Sequence, residues 1–401
     1  MTSAIDTARP TGRPSIILLG ALAAAGPLAL SIHVQSVPAI ARELGTSYTS
    51  AQLTVSLYLL TFASAQLFIG PLSDKIGRRP VIFGGLVLLA VASIGATFAP
   101  SIELLIVARI LQALGGCATL VVPRAVVQDI YSGTQAARMM ALVAMIQSIA
   151  PLTAPIIGGV LDTLLGWRAI FAFLTVFTGV LGVWTVVALT ETRPLEADGN
   201  SARWGEIFAR YGRLLSSRTY VGYTLAFAAG TSGFFGFLAV GPTLIIGQMG
   251  FAPIFFSILL MLITIQFPAG NYIATRMTAR MGIDRTLLWG AVIGIAAAIG
   301  LLALSPVPSL WAIMLPMVVY AFANGILFPN AMAGAASVDR RIAGTAASFA
   351  GFSQLGAGAV VAFTISALPT DSFSPYGFSL VILAVATLAG VSLVYSARRR
   401  R

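Results

Sequence analysis

The sequence of 401 residues holds one histidine, one cysteine and 13 acidic residues. The histidine, His33, ends the apolar run LSIHVQSVP, between Ser31 and Gln35. An imidazole changes charge near neutral pH, so it can carry a proton, contact a substrate or pack as a neutral group. Arg109 lies within a second apolar run, with Gln112 three residues on and no acid one turn away. Residues three apart share a helix face. A charge inside a bilayer costs on the order of 3 kcal/mol, so Arg109 is expected to meet a substrate oxygen, a backbone carbonyl or water, or else to snorkel toward the outer headgroups. A third stretch, GPLSDKIGRRP, spans Gly70 to Pro80. Gly77 permits a tight reversal, Asp74 can sit near a helix N-terminus, and Arg78 and Arg79 offer forked donors. Asp129 is a candidate partner. These residues can form a latch that opens and closes, or a topology-setting turn with solvated charges; their types and spacing leave both open. In a fourth stretch Pro151 and Pro155 are followed by Gly158 and Gly159. Proline bends a helix and glycine lets a neighbour approach closely, so this is a bent, tightly packed face. Catalysis in a bilayer would want clustered carboxylates, histidines or metal ligands, and the composition offers few. No enzyme activity, metal or cofactor is expected, and the lone Cys117 excludes an intrachain disulfide.

The elements that must position these residues are membrane helices. The chain is 58% hydrophobic and 9% charged, against about 25% charged residues in soluble domains. A spanning helix needs roughly 20 apolar residues. Twelve stretches qualify, near 15–37, 49–69, 79–98, 102–126, 138–161, 167–189, 219–245, 253–275, 285–304, 308–332, 342–366 and 374–396. Strand alternation is absent, which argues against a β-barrel. The first apolar run is too long and uninterrupted for a typical cleaved leader. The expected fold class is an all-α membrane protein.

The net charge of +11 is a topology signal and not a nucleic-acid footprint. With these spans, 21 of the 24 basic residues fall on one side; Arg42, Arg109 and Arg168 do not. Arg124 counts among the 21 as a flank of the loop after the fourth span. The positive-inside rule then puts both termini in the cytoplasm. Six spans end near residue 190, a polar stretch runs over 191–218, and six more spans fill 219–401. Two six-helix bundles joined by a linker would rock about a central site. Arg203 to Leu215 has a partly amphipathic pattern suited to a membrane surface or to a plain tether. Phe234 and Phe235 in the seventh span are candidates to shape a central cavity, beside ordinary packing roles.

The loop from Gly70 to Arg79 resembles the signature loop of the major facilitator superfamily, at the expected place between spans two and three. Arg109-Ile-Leu-Gln112-Ala-Leu-Gly115-Gly116 is similar to that superfamily's fourth-helix motif. Ala150-Pro151-Leu-Thr-Ala154-Pro155-Ile-Ile-Gly158-Gly159 resembles the antiporter motif of 12-helix drug:proton exporters. GWRAIF (Gly166 to Phe171), FAAGTSGFFGFLAVGP in the seventh span and AGTAAS (Ala343 to Ser348) look like the bicyclomycin/chloramphenicol-resistance subgroup. The likeness covers essentially the whole chain. It implies two six-helix bundles and alternating access. It also implies an inner latch built from Gly70, Asp74, Gly77, Arg78, Arg79 and Asp129, and a seal against leakage at Pro151, Pro155, Gly158 and Gly159.

One departure from the subgroup pattern concerns the first span. Members typically carry D-M-Y-L-P-A-L-P at its end. Aligning the last proline with Pro38 puts the aspartate at Ser31, the tyrosine at His33 and the first proline at Gln35. The expected intramembrane carboxylate is therefore missing. On a continuous helix Gln35 would share the face of Ser31, and His33 would point about 200° away. The resulting expectation is a multi-pass inner-membrane exporter of small amphipathic, phenicol-like compounds, monomeric, working by proton antiport. Ser31, His33, Gln35, Arg109, Gln112, Phe234 and Phe235 are its candidate substrate contacts. A proton-independent facilitator or importer of a nutrient is the alternative that the missing carboxylate favours.

Overall fold

The computed structural model describes residues 14–131, 133–192, 204–307, 309–338, 343–366 and 375–397. All regular elements among them are helical. The expected linker is thus described only in part, and residues 193–203 and both chain ends lie outside the described residues.

The first half contains α1 (Ile16–Ser31), the short α2 (Val37–Glu43), α3 (Tyr48–Ile76), α4 (Arg78–Thr97), α5 (Ile102–Ile130), α6 (Gly133–Leu165) and α7 (Arg168–Ala188). The surface helix α8 (Trp204–Ser216) follows. The second half contains α9 (Arg218–Pro242), α10 (Pro253–Thr264), α11 (Gln266–Leu304), α12 (Leu310–Ser337), α13 (Ala343–Ser366) and α14 (Pro375–Ala397). Ten stretches are long and apolar enough to cross a bilayer; one of them, Pro253–Leu304, breaks at Gly282 and supplies two passes, and Gly377–Leu393 supplies a shorter one.

Local chemistry accounts for the helix ends. Ser15, Ser47 and Ser217 each cap a helix by accepting from a backbone N–H, on Ile17, Ser50 and Tyr220 respectively, which offsets donors that no carbonyl reaches. Hydroxyls inside spans donate back to the preceding turn, as Ser93 does to Leu89 and Thr178 to Leu174. These hydroxyls are then not left bare toward hydrocarbon. On α7, Val176, Val180, Val183 and Val187 form one exposed apolar face, at the spacing of a helix side turned to lipid.

The two halves repeat one device. Gly77 (φ 99°) separates α3 from α4, and Gly282 (φ 81°) breaks α11. Both dihedrals suit glycine and penalise other residues. Each therefore turns the chain between the second and third passes of its half. The end bearing Gly77 and Gly282 is here called the basic end, and the opposite end the far end. Helix α8 packs against the second half: Tyr211 and Leu214 are buried, and the Tyr211 ring lies 5.4 Å from that of Phe349 on α13. Between the halves, α3 packs on α13 and α6 on α10.

Candidate transport pathway and gates

Helix α1 stops at Ser31. Ile32 and His33 form a turn, Val34–Ser36 make a single 3-10 turn, and α2 begins at Val37 with Pro38 in its first turn, where a missing N–H costs nothing. The 3.6-residue period therefore does not carry from Ser31 to Gln35. Ser31 is half-buried, whereas His33 and Gln35 are buried. His33 Nε2 lies 3.3 Å from Thr54 Oγ1 and its ring 5.8 Å from that of Phe171. Gln35 Nε2 donates to the Ile32 carbonyl at 2.6 Å. The structure does not place His33 or Gln35 on the face of Ser31, because the helix that would align them has ended.

That same break supplies a partner for Arg109. The last carbonyls of a helix lack backbone donors and carry partial negative charge. Arg109, fully buried, donates from Nη1 to the Ala29 carbonyl at 2.9 Å and to Gln112 Oε1 at 2.7 Å, and from Nε to the Thr54 carbonyl at 3.2 Å. Its guanidinium sits 4.1 Å from the centre of the Tyr58 ring, a cation–π contact. Gln112 in turn donates to Ser93 Oγ at 2.7 Å. Of the counterparts open to Arg109 in the sequence, backbone carbonyls are the ones present. Arg109, Gln112 and His33 form one network around Thr54 inside the first half. The second half has a simpler analogue, in which Tyr320 on α12 donates to the Gly230 carbonyl of α9 at 2.7 Å.

At the basic end, Arg78 is 5% exposed and gathers three helices. Its Nε donates to Asp129 Oδ2 at 2.9 Å, its Nη2 to Asp129 Oδ1 at 3.4 Å and its Nη1 to Ser73 Oγ at 2.6 Å, with Asp74 Oδ1 also 2.6 Å away. Glu191, just beyond α7, completes the cluster. Its carboxylate accepts from the backbone N–H of Arg78 and of Arg79, each at 3.0 Å, at the positive end of α4. A Cβ on Gly77 would stand 2.8 Å from Glu191 Oε2, so Gly77 serves both the reversal and this approach. Thr192 donates to Asp129 at 3.3 Å and Arg79 to the Val186 carbonyl at 3.1 Å. Reading the sequence missed Glu191. Its signal was an acid at the end of the sixth span, and nothing in the order of residues pointed it at α4. Gly70 packs beside Val121 of α5.

At the far end the halves touch. Pro151 and Pro155 lie inside α6, and the two glycines after them face different neighbours. A Cβ on Gly158 would run into the Ile32 carbonyl and Gln35, within the first half. A Cβ on Gly159 would meet Ser257 and would lie 3.2 Å from Ile254 Cα, both on α10 of the second half. Tyr48, at the start of α3, donates to the Ala239 carbonyl of α9, and Thr49 Oγ1 donates to the Ser366 carbonyl of α13 at 2.7 Å. Phe234 is half-buried on α9; Phe235 is 8% exposed and lies under Gly358 of α13, with the two rings 6.0 Å apart.

The family model of the Major Facilitator Superfamily matches residues 17–362. The chain belongs to the major facilitator superfamily. It is a multi-pass membrane transporter and not an enzyme. It is 31% identical over 377 residues to Multidrug resistance protein D of Escherichia coli (strain K12), covering 92% of this chain and 93% of that protein. It is also 31% identical over 392 residues to the Chloramphenicol resistance protein of Pseudomonas aeruginosa, covering 95% and 90%. Among solved structures, a POT peptide transporter bound to alafosfalin superposes with a TM-score of 0.75 at 15% identity, over 98% of this chain and 96% of that one. A bacterial homologue of the lysosomal transporter Spinster, inward-facing and occupied, gives 0.73 at 15% identity over 95% of each. These two share the fold.

Proposed function

We propose that this superfamily member exports small amphipathic compounds, phenicol-like molecules among them, by alternating access in exchange for protons. Full-length similarity to relatives named for multidrug and chloramphenicol resistance carries this reading. The seam supports it: Gly159 of α6 lies against Ile254 and Ser257 of α10 at the far end, where a leak would have to be stopped. In this reading the protein is a monomer in the inner membrane, with residues 1–190 and 219–401 as the moving halves and 191–218 as their linker. The basic end and both termini face the cytoplasm, as the positive-inside rule favours. Among the described residues the hydrogen bonds that join the halves, from Tyr48 and Thr49, lie at the far end, and in this reading substrate enters from the cytoplasmic side.

The Arg78, Asp74, Asp129 and Glu191 cluster ties α3, α4, α5 and α7 into one rigid body, so that the half moves as a unit. The Arg109 network does the same for α1, α3 and α5. The half-buried Ser31, where the subgroup has a carboxylate, favours a second reading, a facilitator that follows its solute's own gradient.

Efflux of chloramphenicol from cells expressing the protein, with and without a protonophore, separates the two. Lower accumulation than in vector-only cells, abolished by the protonophore, is the expected result. Lower accumulation that survives the protonophore selects the facilitator. Unchanged accumulation at verified expression removes the phenicol reading. Asp74→Asn should depress efflux while leaving membrane insertion intact, and wild-type efflux in that variant would show that the cluster's hold on α3 and α4 is not needed for transport.

A further inference from the structure

Arg124 lies on α5, six residues before its end at Ile130, inside the span and not in the loop after it. Since α3 meets α13 and α6 meets α10, the sector of α5 between α3 and α6 looks into the space between the halves. Two contacts put Arg124 in that sector. Val121, one turn earlier, packs beside Gly70 of α3, and Arg124 Nη2 donates to Gln147 Oε1 of α6 at 2.9 Å. Arg124 is exposed although protein flanks it on both sides, α3 through the contact of Val121 with Gly70 and α6 through Gln147.

Three other arginines of the first half are differently placed. Arg78 and Arg168 pair with carboxylates, and Arg109 is turned inward onto carbonyls. Among the described residues Arg124 has no carboxylate partner, and Gln147 is the side chain it bonds to. Gln147 holds the guanidinium by one N–H and leaves Nε and Nη1 to donate elsewhere. The acidic side chains described within or beside the spans lie at the ends: Glu43, Glu103 and Asp162 at the far end, Asp74, Asp129, Glu191 and Asp284 at the basic end. Among the described residues, no carboxylate pairs with the charge on Arg124. In a medium of low dielectric such a charge attracts an anion or a strong acceptor dipole and repels a cation far more than in water. A planar guanidinium binds carboxylate and related two-oxygen groups through paired hydrogen bonds.

We infer that Arg124 recognises the polar end of the transported molecule, and that substrates present an anionic or acceptor-only group there while organic cations are excluded. The inference rests on the export reading above and names the substrate class for it. A nitroaromatic phenicol, neutral and acceptor-ended, falls inside the class.

Three ligands with one apolar body test the charge alone: 2-naphthoate, 2-naphthamide and 2-naphthamidine. Binding of each to the purified full chain in lipid nanodiscs is measured by equilibrium dialysis. The naphthoate should bind about tenfold or more tighter than the naphthamidine, by the usual strength of hydrogen bonds to charged groups, with the amide between. Arg124→Gln should weaken naphthoate by about tenfold and leave the amide within about twofold. Arg124→Lys, which keeps the charge and loses the fork, should retain the order with a smaller spread. Equal binding of the three, tighter binding of the cation, no binding of naphthoate to wild type, or an unchanged order in Arg124→Gln would each overturn the assignment. Chloramphenicol efflux by the wild type reads the export function separately, so the two can fail independently.

Discussion

Gly158 and Gly159 are neighbours in sequence, and the structure assigns them opposite consequences. A methyl group on Gly159 enters the seam between the halves, against Ser257 and within 3.2 Å of Ile254 Cα. Ser257 can rotate away only by giving up its bond to the Pro253 carbonyl, now 3.0 Å. The Ile254 backbone cannot move without displacing α10. Overpacking of this kind costs about 1–3 kcal/mol, and losing one hydrogen bond costs about 1 kcal/mol. All of that cost falls on the arrangement with the far end closed, because the contact spans the two halves. One or two kcal/mol changes a two-state ratio about 5- to 30-fold, so Gly159→Ala should move the population by that factor toward an open far end. A methyl on Gly158 meets Ile32 and Gln35 of its own half, so Gly158→Ala should lower thermal stability in both states and leave their ratio nearly unchanged. Nitroxide labels at Glu103→Cys and Val307→Cys, both at far-end helix termini, report the separation of the halves by pulsed electron resonance in a Cys117→Ala background. A distance distribution unmoved by Gly159→Ala, or moved equally by Gly158→Ala, would refute the claim that the seam passes between these two residues.

Tyr48→Phe combined with Thr49→Val removes two hydroxyl–carbonyl bonds across the far end, each worth about 0.5–1.5 kcal/mol. The same label pair should shift toward the longer distance, and no shift would show that these bonds do not hold the closure. Glu191→Ala should lower the unfolding temperature in detergent by the equivalent of about 1–2 kcal/mol, as loss of a helix N-terminal cap does. Glu191→Gln should lose less, about 0.3–1 kcal/mol, since only the charge at the α4 N-terminus is removed; equal melting of both variants and wild type would remove Glu191 from the cluster. His33→Asn should leave the pH dependence of transport unchanged, because His33 is fully buried inside the first half against Thr54 and Phe171. A flattened pH profile would put His33 in the proton path.

The twelve passes, the positive charge gathered at one end and the glycine reversal at Gly77 were legible in the sequence. Each depends on one segment at a time: a bilayer demands about 20 apolar residues per span and a glycine where φ is positive. Contacts between segments were not legible. The Ala29 carbonyl is available to Arg109 because α1 stops two residues later, and no periodicity in either helix states that. Gln35 was placed with Ser31 by assuming a continuous helix, an assumption the turn at Ile32 and His33 breaks. Glu191 meets the N-terminus of α4 because α7 ends beside it, 113 residues away along the chain from Arg78. Hydropathy alone leaves Arg124 at the end of the fourth span, flanking the loop that follows, and its place between α3 and α6 comes from how the helices rotate and cross. Hydropathy is a one-dimensional property that the membrane reads span by span. Which face of each span meets which neighbour is settled by close packing among helices, where lipid and side chain are equally apolar and only shape and hydrogen bonds choose.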